Sequence, residues 1–520
     1  MKLRNNMKKR FYITTPIYYA SGNLHIGHLY TTALTWVIAN YKKLDGYDVR
    51  MLTGSDEHGL KIKQKAEEKG VKPQEFVDEL ALKFQQMWKD FRIEYDYYSR
   101  TTSQYHKKTI QDIFSYFLKK EFVYKGKYQG LYSIPDEEFL TETQAIKKNG
   151  KFYHPTSDHE LTLVSEESYF FKMNLFQDWL VDYINKNKEF LAPKKIENEM
   201  INNFISKGLE DLSITRAKID WGIKINEDPS HTVYVWLDAL ANYITALGFD
   251  INGNHKDDFK YFWEDDNAEV VHLIGKEISR FHMIYWPIFL KALNLKLPSK
   301  IQSHGWIITP TGKMSKSKNN IIDPYKLLEK YDPEIIKYFF VSQSALGDDI
   351  VFDEERFVNT INAELINTYG NLIARTLKMK SNSFSNPIKY AKTTYQEDLD
   401  IENDIINSIK EYKNNFDEFR INKAFQIANE LGNQLNKYID LTKPWTITNL
   451  DRLEQILVRL LNGIYALSTY YSVVLPNKVS EVATALDLKE FKLDEIKDFT
   501  KFNDKKLTES FILYKRLKFN

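Results

Sequence analysis

Two histidines three residues apart, His25 and His28, and a lysine run far down the chain, Lys313, Lys316 and Lys318, are the residues whose types and spacing could do chemistry together. Imidazoles at the start of a helix can hold phosphate oxygens, because the free N–H groups and the dipole there already favour an anion. Movable ammonium groups on a loop can close over a triphosphate and follow charge that migrates to pyrophosphate. Read as His25-Ile26-Gly27-His28 and Lys313-Met314-Ser315-Lys316-Ser317, the two stretches are expected to serve as two halves of one site for ATP. Gly27 leaves room for a nucleotide to lie against the backbone.

The elements that must position these groups are legible around them. Phe11-Tyr12-Ile13-Thr14-Thr15 is β-branched and aromatic and reads as a buried strand, broken by Pro16 and by the turn residues Ala20-Ser21-Gly22-Asn23. Apolar residues then recur at Ile26, Leu29, Ala33, Val37 and Tyr41, the spacing of an amphipathic helix, with Lys42 and Lys43 in its last turn and Gly46 after it. Residues 47–53 read as the next strand, which completes a βαβ unit. No Gly-x-Gly-x-x-Gly accompanies the turn, so a dinucleotide fold is disfavoured. At the other signature, Ile301-Gln302-Ser303-His304 reads as a strand, Thr309-Pro310-Thr311-Gly312 as a tight turn, and Asp323-Pro324 as a helix cap and first helical residue.

Further along, helical segments are expected at 61–70, 73–91 and 174–187, and short aromatic-rich strands fill 120–230, which reads as an insertion. Alternation returns with strands at 232–235, 269–275 and 301–304 and a helix at 277–293, the second half of one parallel sheet. Beyond Asp332-Pro333 the periodicity is helical, around 355–380, 399–418, 422–440 and 451–474, and predicts a bundle. The expected fold is therefore α/β: a Rossmann-like parallel sheet in two halves (1–119 and 231–304), split by an inserted domain (120–230), then a lysine-loop linker (305–354) and a helical domain (355–520).

Composition sets limits. Of 520 residues, 43% are hydrophobic and 14% aromatic, enough for real cores. Basic and acidic residues nearly cancel, 72 against 71, so no global field attracts nucleic acid and any RNA contact must come from local patches. There is no cysteine, which excludes disulfides and thiolate zinc sites and fits a cytoplasmic protein. The basic start, residues 1–10, is followed by a mixed strand rather than an apolar signal core, and no stretch approaches transmembrane length.

Taken together, the residues resemble the class I aminoacyl-tRNA synthetases, and within them the methionyl-tRNA synthetase family. The resemblance rests on both signatures and on five further segments: Thr15-Pro16-Ile17-Tyr18-Tyr19, Gly54-Ser55-Asp56-Glu57-His58-Gly59, Val235-Trp236-Leu237-Asp238-Ala239, Ile274-Gly275-Lys276-Glu277-Ile278, and Phe281-His282-Met283-Ile284-Tyr285-Trp286-Pro287. It implies a two-step reaction: methionine and Mg-ATP give methionyl-adenylate and pyrophosphate, and methionine then passes to the 3′-terminal adenosine of tRNA(Met), with initiator and elongator tRNA as the partners. It implies that His25, His28, Lys313 and Lys316 are catalytic, and that Gly27, Gly275 and Ser315 join them around ATP. It places Ile17, Tyr19, Trp236, Ala239, Tyr243, Ile278 and His282 around the methionine side chain, with Asp56 near the ammonium group and Tyr19 and His282 as polar contacts to sulfur. It places Asn371, Arg375, Pro444 and Trp445 at the anticodon, where an exposed Trp can stack on a splayed base.

The chain departs from many relatives where they carry a zinc knuckle. Ser133 and Asp136 stand where thiolates would be expected, and His154, His159 and Asp136 do not make a convincing tetrahedral set, so no structural zinc is expected. The chain also stops after the helices, without room for the extra C-terminal domain that makes some relatives dimers, and a monomer is expected. The leucyl, isoleucyl and valyl enzymes share the signatures but carry a much larger editing insertion, and the cysteinyl enzyme needs thiolate zinc ligands. A nucleotidyltransferase without tRNA is disfavoured by the helical domain, and a non-catalytic scaffold by the intact histidines and lysines.

Overall fold

The run Arg10–Thr14 is fully buried, and its aromatic and β-branched residues suit a strand flanked on both sides. In the computed structural model, which describes residues 8–519 except 134, 136, 137, 141, 143, 144, 156, 218 and 315–320, it lies in the middle of a seven-stranded sheet. The order is Leu191–Ala192, Lys300–His304, Ala268–Gly275, Arg10–Thr14, Asp48–Asp56 and Tyr18–Tyr19, with Tyr97–Arg100 also paired to Asp48–Asp56. Every pairing in it is parallel. The helix Ile26–Leu44 connects the first strands, and Pro73–Asp90 and Gln104–Lys119 follow, each burying an apolar stripe.

The chain divides into two units: Met1–Ala39 with Tyr47–Gly305, and Asn40–Gly46 with Trp306–Asn520. In the first, a long antiparallel pair, Val123–Ser133 with Thr162–Phe171, is extended by Glu138–Leu140 and Leu212–Ser213 into a separate four-stranded sheet. A small core of Leu131, Leu140 and Leu161 closes one end of it. In the second unit, Ile307–Thr309, Gly312–Lys313 and Ile350–Val351 form a three-stranded sheet. Helices follow, the long ones being Gln396–Asp417, Ile421–Thr442 and Leu450–Tyr471. Asp323 and Asp332 cap the helices that begin at Pro324 and Pro333, each accepting a backbone N–H two residues on.

Three expectations are corrected. Residues 232–235 do not join the parallel sheet: Thr232–Val233 pairs antiparallel with Thr215–Arg216 in a two-stranded ribbon, and Val235 already opens the helix Val235–Thr245. The expected helix at 277–293 is three pieces, a 3₁₀ turn Lys276–Ile278, a π-helical stretch Phe281–Tyr285 and an α-helix Trp286–Ala292. Pro287 has no N–H to give to the preceding turn, and the chain ahead of it widens to i→i+5 bonding, a departure that recurs at functional sites. Finally, Leu191–Ala192, inside the stretch read as an insertion, is an edge strand of the main sheet, paired with Ile301 and Gln302.

Candidate active site

The first backbone N–H groups around the start of the helix at Ile26 are bonded within the turn itself, which fixes the two histidine rings. The His25 carbonyl accepts from the N–H groups of His28 (3.0 Å) and Leu29 (3.3 Å). The His25 N–H donates to His28 Nδ1 at 3.0 Å, and the Gly27 N–H donates to His25 Nδ1 at 3.0 Å. Both Nδ1 atoms are thus acceptors, which assigns the ring proton of each neutral imidazole to Nε2. The rings lie 3.9 Å apart at 42°, and Tyr18 meets His28 edge-on at 4.9 Å. Burial first, and then the neighbouring His25 ring, push His28 well below the ordinary imidazole range, so it is a neutral donor at physiological pH. A Cβ on Gly27 would stand 2.9 Å from His25 Cε1, so glycine there keeps the ring in place.

Other strand tips brace this turn. His304 gives its Nδ1–H to the Gly305 carbonyl at 2.7 Å, and its Nε2 accepts from Thr31 Oγ1 at 2.8 Å, one helical turn after Gly27. The Tyr18 hydroxyl lies 2.6 Å from Thr32 Oγ1 and 3.3 Å from the His28 carbonyl. At Gly275 a Cβ would meet Glu277 Oε1 at 2.4 Å. The charge of Glu277 acts on both His304 and Tyr18. Glu277 is therefore a member of this neighbourhood that sequence reasoning passed over, although it lies within one of the quoted segments.

The residues expected around methionine all lie in the first unit. Tyr19 pairs with Asp56 across neighbouring strands, and the Ala20 N–H donates to the Asp56 carbonyl at 2.8 Å. Ile17, Trp236 and Ile278 are half-buried against the same core that contains Tyr243. Trp236 stacks on Phe281 at 3.7 Å and 6°, and stands edge-on to His282 at 6.3 Å. Its Nε1–H is buried with no acceptor among the described residues. Ala239 is buried on the same helix as Trp236 and Tyr243.

His282 has a partner at each nitrogen. Its Nδ1–H donates to the Ile278 carbonyl at 3.0 Å, and its Nε2 accepts from the Tyr243 hydroxyl at 2.7 Å. Burial lowers its pKa to about 4 against that carbonyl bond. A sulfur contact through Nε2 would require the Tyr243 bond to open, so in this arrangement His282 orients Tyr243 and Ile278 rather than standing free for the thioether. Beneath them His272 stacks on Tyr243 at 4.2 Å, bonded to Thr14 Oγ1 (2.8 Å) and to Trp286 Nε1–H (3.1 Å).

Of the lysine signature, Lys313 lies in the strand Gly312–Lys313 paired with Ile308 and Thr309, whereas Ser315, Lys316 and Lys318 fall outside the described residues. In the second unit, Asn371 and Arg375 are exposed one turn apart on Asn371–Ser383, and Arg375 reaches Asp440 at 3.8 Å on the last turns of Ile421–Thr442. That helix ends at Lys443, in the left-handed region, after which Pro444 is buried and Trp445 is 58% exposed. Among the described residues no group of three or more His, Asp or Glu could hold a metal, and Asp136 falls outside them; Ser133 and His154 are buried.

Comparison with known proteins places the chain in a family. Residues 11–377 match the family described as tRNA synthetases class I (M). A methionine–tRNA ligase of Mycoplasmopsis pulmonis is 49% identical over 513 residues, covering 98% of this chain and 100% of that protein. The Bacillus subtilis methionine–tRNA ligase is 42% identical over 523 residues, covering 98% and 78%. The structure of Mycobacterium tuberculosis methionyl-tRNA synthetase in complex with methionyl-adenylate superposes with a TM-score of 0.92 at 30% identity, over 98% of this chain and 100% of that one. The chain belongs to the class I tRNA synthetases of the methionine (M) family.

Proposed function

We propose that this chain is a methionine–tRNA ligase whose activation chemistry is carried by two neutral histidines of fixed tautomer. The methionine carboxylate attacks the α-phosphorus of ATP; a new O–P bond forms, the bond to the β-phosphate bridge breaks, and pyrophosphate leaves with the electron pair. A terminal ribose hydroxyl of tRNA(Met) then attacks the activated carbonyl, and AMP leaves. Neither step needs a covalent enzyme nucleophile, so the protein contributes positioning and charge stabilisation. The observation that carries this reading is the pair of backbone N–H bonds onto His25 Nδ1 and His28 Nδ1, which commits both Nε2–H groups to donation.

Gly27 and Gly275 keep side chains out of the nucleotide's path, and Lys313, Ser315 and Lys316 meet the triphosphate, which enters with its Mg2+. Ile17, Tyr19, Trp236, Ala239, Tyr243, Ile278 and His282 enclose the methionine side chain, and Asp56 meets its ammonium group. Asn371, Arg375, Pro444 and Trp445 meet the anticodon, supported by the exposure of Trp445 at the bundle's edge. The protein acts as a cytoplasmic monomer without structural zinc; stoichiometric zinc in the purified protein would overturn the metal-free reading. The whole function is tested by charging tRNA(Met) and tRNA(Leu) transcripts with labelled methionine. Label is expected on the 3′-terminal adenosine of tRNA(Met) alone; equal labelling of both, or none, would refute it.

A further inference from the structure

A buried carboxylate joins two segments that the resemblance treats separately. Asp238 is 1% exposed on the helix Val235–Thr245, between Trp236 and Ala239. Its Oδ2 accepts from His58 Nδ1 at 2.6 Å and its Oδ1 from His106 Nε2 at 2.7 Å. His58 lies two residues after Asp56, and His106 lies on Gln104–Lys119, with its Nδ1 2.7 Å from Thr245 Oγ1 at the far end of the Asp238 helix. The His58 and His106 side chains are 6% and 2% exposed, so the cluster has little access to water.

The loop on the other side of His58 is held as firmly. The Glu57 side chain is fully buried, with Arg100 donating to both of its oxygens at 2.7 and 3.1 Å and Ser55 Oγ donating at 2.5 Å. Trp221 Nε1–H donates to the Glu57 carbonyl at 2.6 Å, and the Gly59 N–H donates to the Trp221 carbonyl at 3.1 Å. A shift of His58 is therefore transmitted to Asp56, and a shift of Asp238 to Trp236 and Ala239. Burial would push the Asp238 carboxyl up, yet the two histidines outweigh it and hold it below the usual carboxylate range. A buried charge with one donor per oxygen is a costly way to fill space, and its best-attested use is to fix geometry.

We propose that Asp238 is a positioning residue for amino-acid selection: by taking His58 on one oxygen and His106 on the other, it fixes the distance between the strand end that carries Asp56 and the helix that carries Trp236, Ala239 and Tyr243. The inference rests on the reading that those residues enclose the methionine side chain. The clamp never touches substrate. It sets how closely the pocket walls follow the thioether, and so how well methionine is told from norleucine, in which a methylene replaces sulfur.

The test is ATP–pyrophosphate exchange by the full chain with methionine and with norleucine, alongside thermal melting. In Asp238→Asn the amide NH2 faces one histidine N–H and one arm of the clamp is lost. The KM for methionine is expected to rise about tenfold, the norleucine preference to narrow by a similar factor, and the KM for ATP to stay within about twofold. His106→Gln, whose amide N–H can stand near the place of Nε2, should keep most of the discrimination that His106→Ala loses; this pair carries the test if Asp238→Asn does not fold. A fall in kcat with an unchanged methionine KM and norleucine ratio would overturn the proposal, since loss of folded protein alone produces that pattern. Trp236→Ala is measured beside them. If it leaves the methionine KM unchanged, the pocket reading itself fails; if it raises the KM while Asp238→Asn does not, only the positioning role is refuted.

Discussion

Replacing His28 by Ala tests the donor to which the proposed activation step assigns the developing charge. The Nε2–H of His28 is available to a phosphate oxygen because Nδ1 is engaged by the His25 N–H at 3.0 Å. Removing a donor aimed at developing charge costs about 2.7–4 kcal/mol, or roughly 10²–10³ in rate. The same change leaves the His25 N–H without its acceptor and removes the edge contact to Tyr18, a stability cost of about 0.5–2 kcal/mol by analogy with a lost helix cap. A melting curve separates that loss from the catalytic one. The assay is rapid-quench adenylate formation at saturating methionine and ATP, measured for wild type and His28→Ala at several pH values. Because His28 titrates well below the ordinary imidazole range, its proton stays on Nε2 throughout neutral pH, and the wild-type to mutant ratio is expected to be large and flat between pH 6.5 and 8. A ratio near one would refute the role. A ratio that falls as pH rises would show a charged imidazolium at work and refute the neutral-donor argument.

Three other outcomes follow from the same geometry. Tyr243→Phe leaves His282 Nε2 as a buried acceptor without a donor, so about 1–3 kcal/mol of stability should be lost together with methionine affinity; an unchanged melting temperature would contradict the bond. His282 titrates near 6.5 when unfolded and at about 4 when folded, so its stabilisation is complete above pH 6.5 and is lost as pH falls to about 4, up to about 3 kcal/mol. Melting against pH should therefore be flatter in His282→Gln over that window, and an identical slope would count against the buried neutral ring. Trp445→Ala, at a site 58% exposed, should leave exchange and melting nearly unchanged while weakening tRNA charging; equal loss of exchange and charging would show a folding role.

Local pattern made the start of the first helix legible, since apolar spacing from Ile26 and the turn residues before it are decided by the backbone nearby. The strands Arg10–Thr14 and Ala268–Gly275 announced themselves by β-branched and apolar runs long enough to count. Leu191–Ala192 is too short to show a period, and Thr232–Val233 has strand composition but a partner, Thr215–Arg216, that no local rule selects. The widened turn at Phe281–Tyr285 depends on how the chain accommodates Pro287, which residue spacing alone read as continuous helix. At the site, residue types near the signatures were readable, but bonds across the fold were not. His58 and Asp238 are 180 positions apart and Tyr243 and His282 are 39, and only the folded sheet brings each pair to hydrogen-bond distance.

The claim that this pocket, served by the His25–His28 turn, activates methionine is tested most directly by ATP–pyrophosphate exchange with each of the twenty amino acids in turn. Rapid exchange with methionine and little with the rest is the expected result. Exchange driven best by leucine or another side chain, or absent with all twenty, would contradict the account.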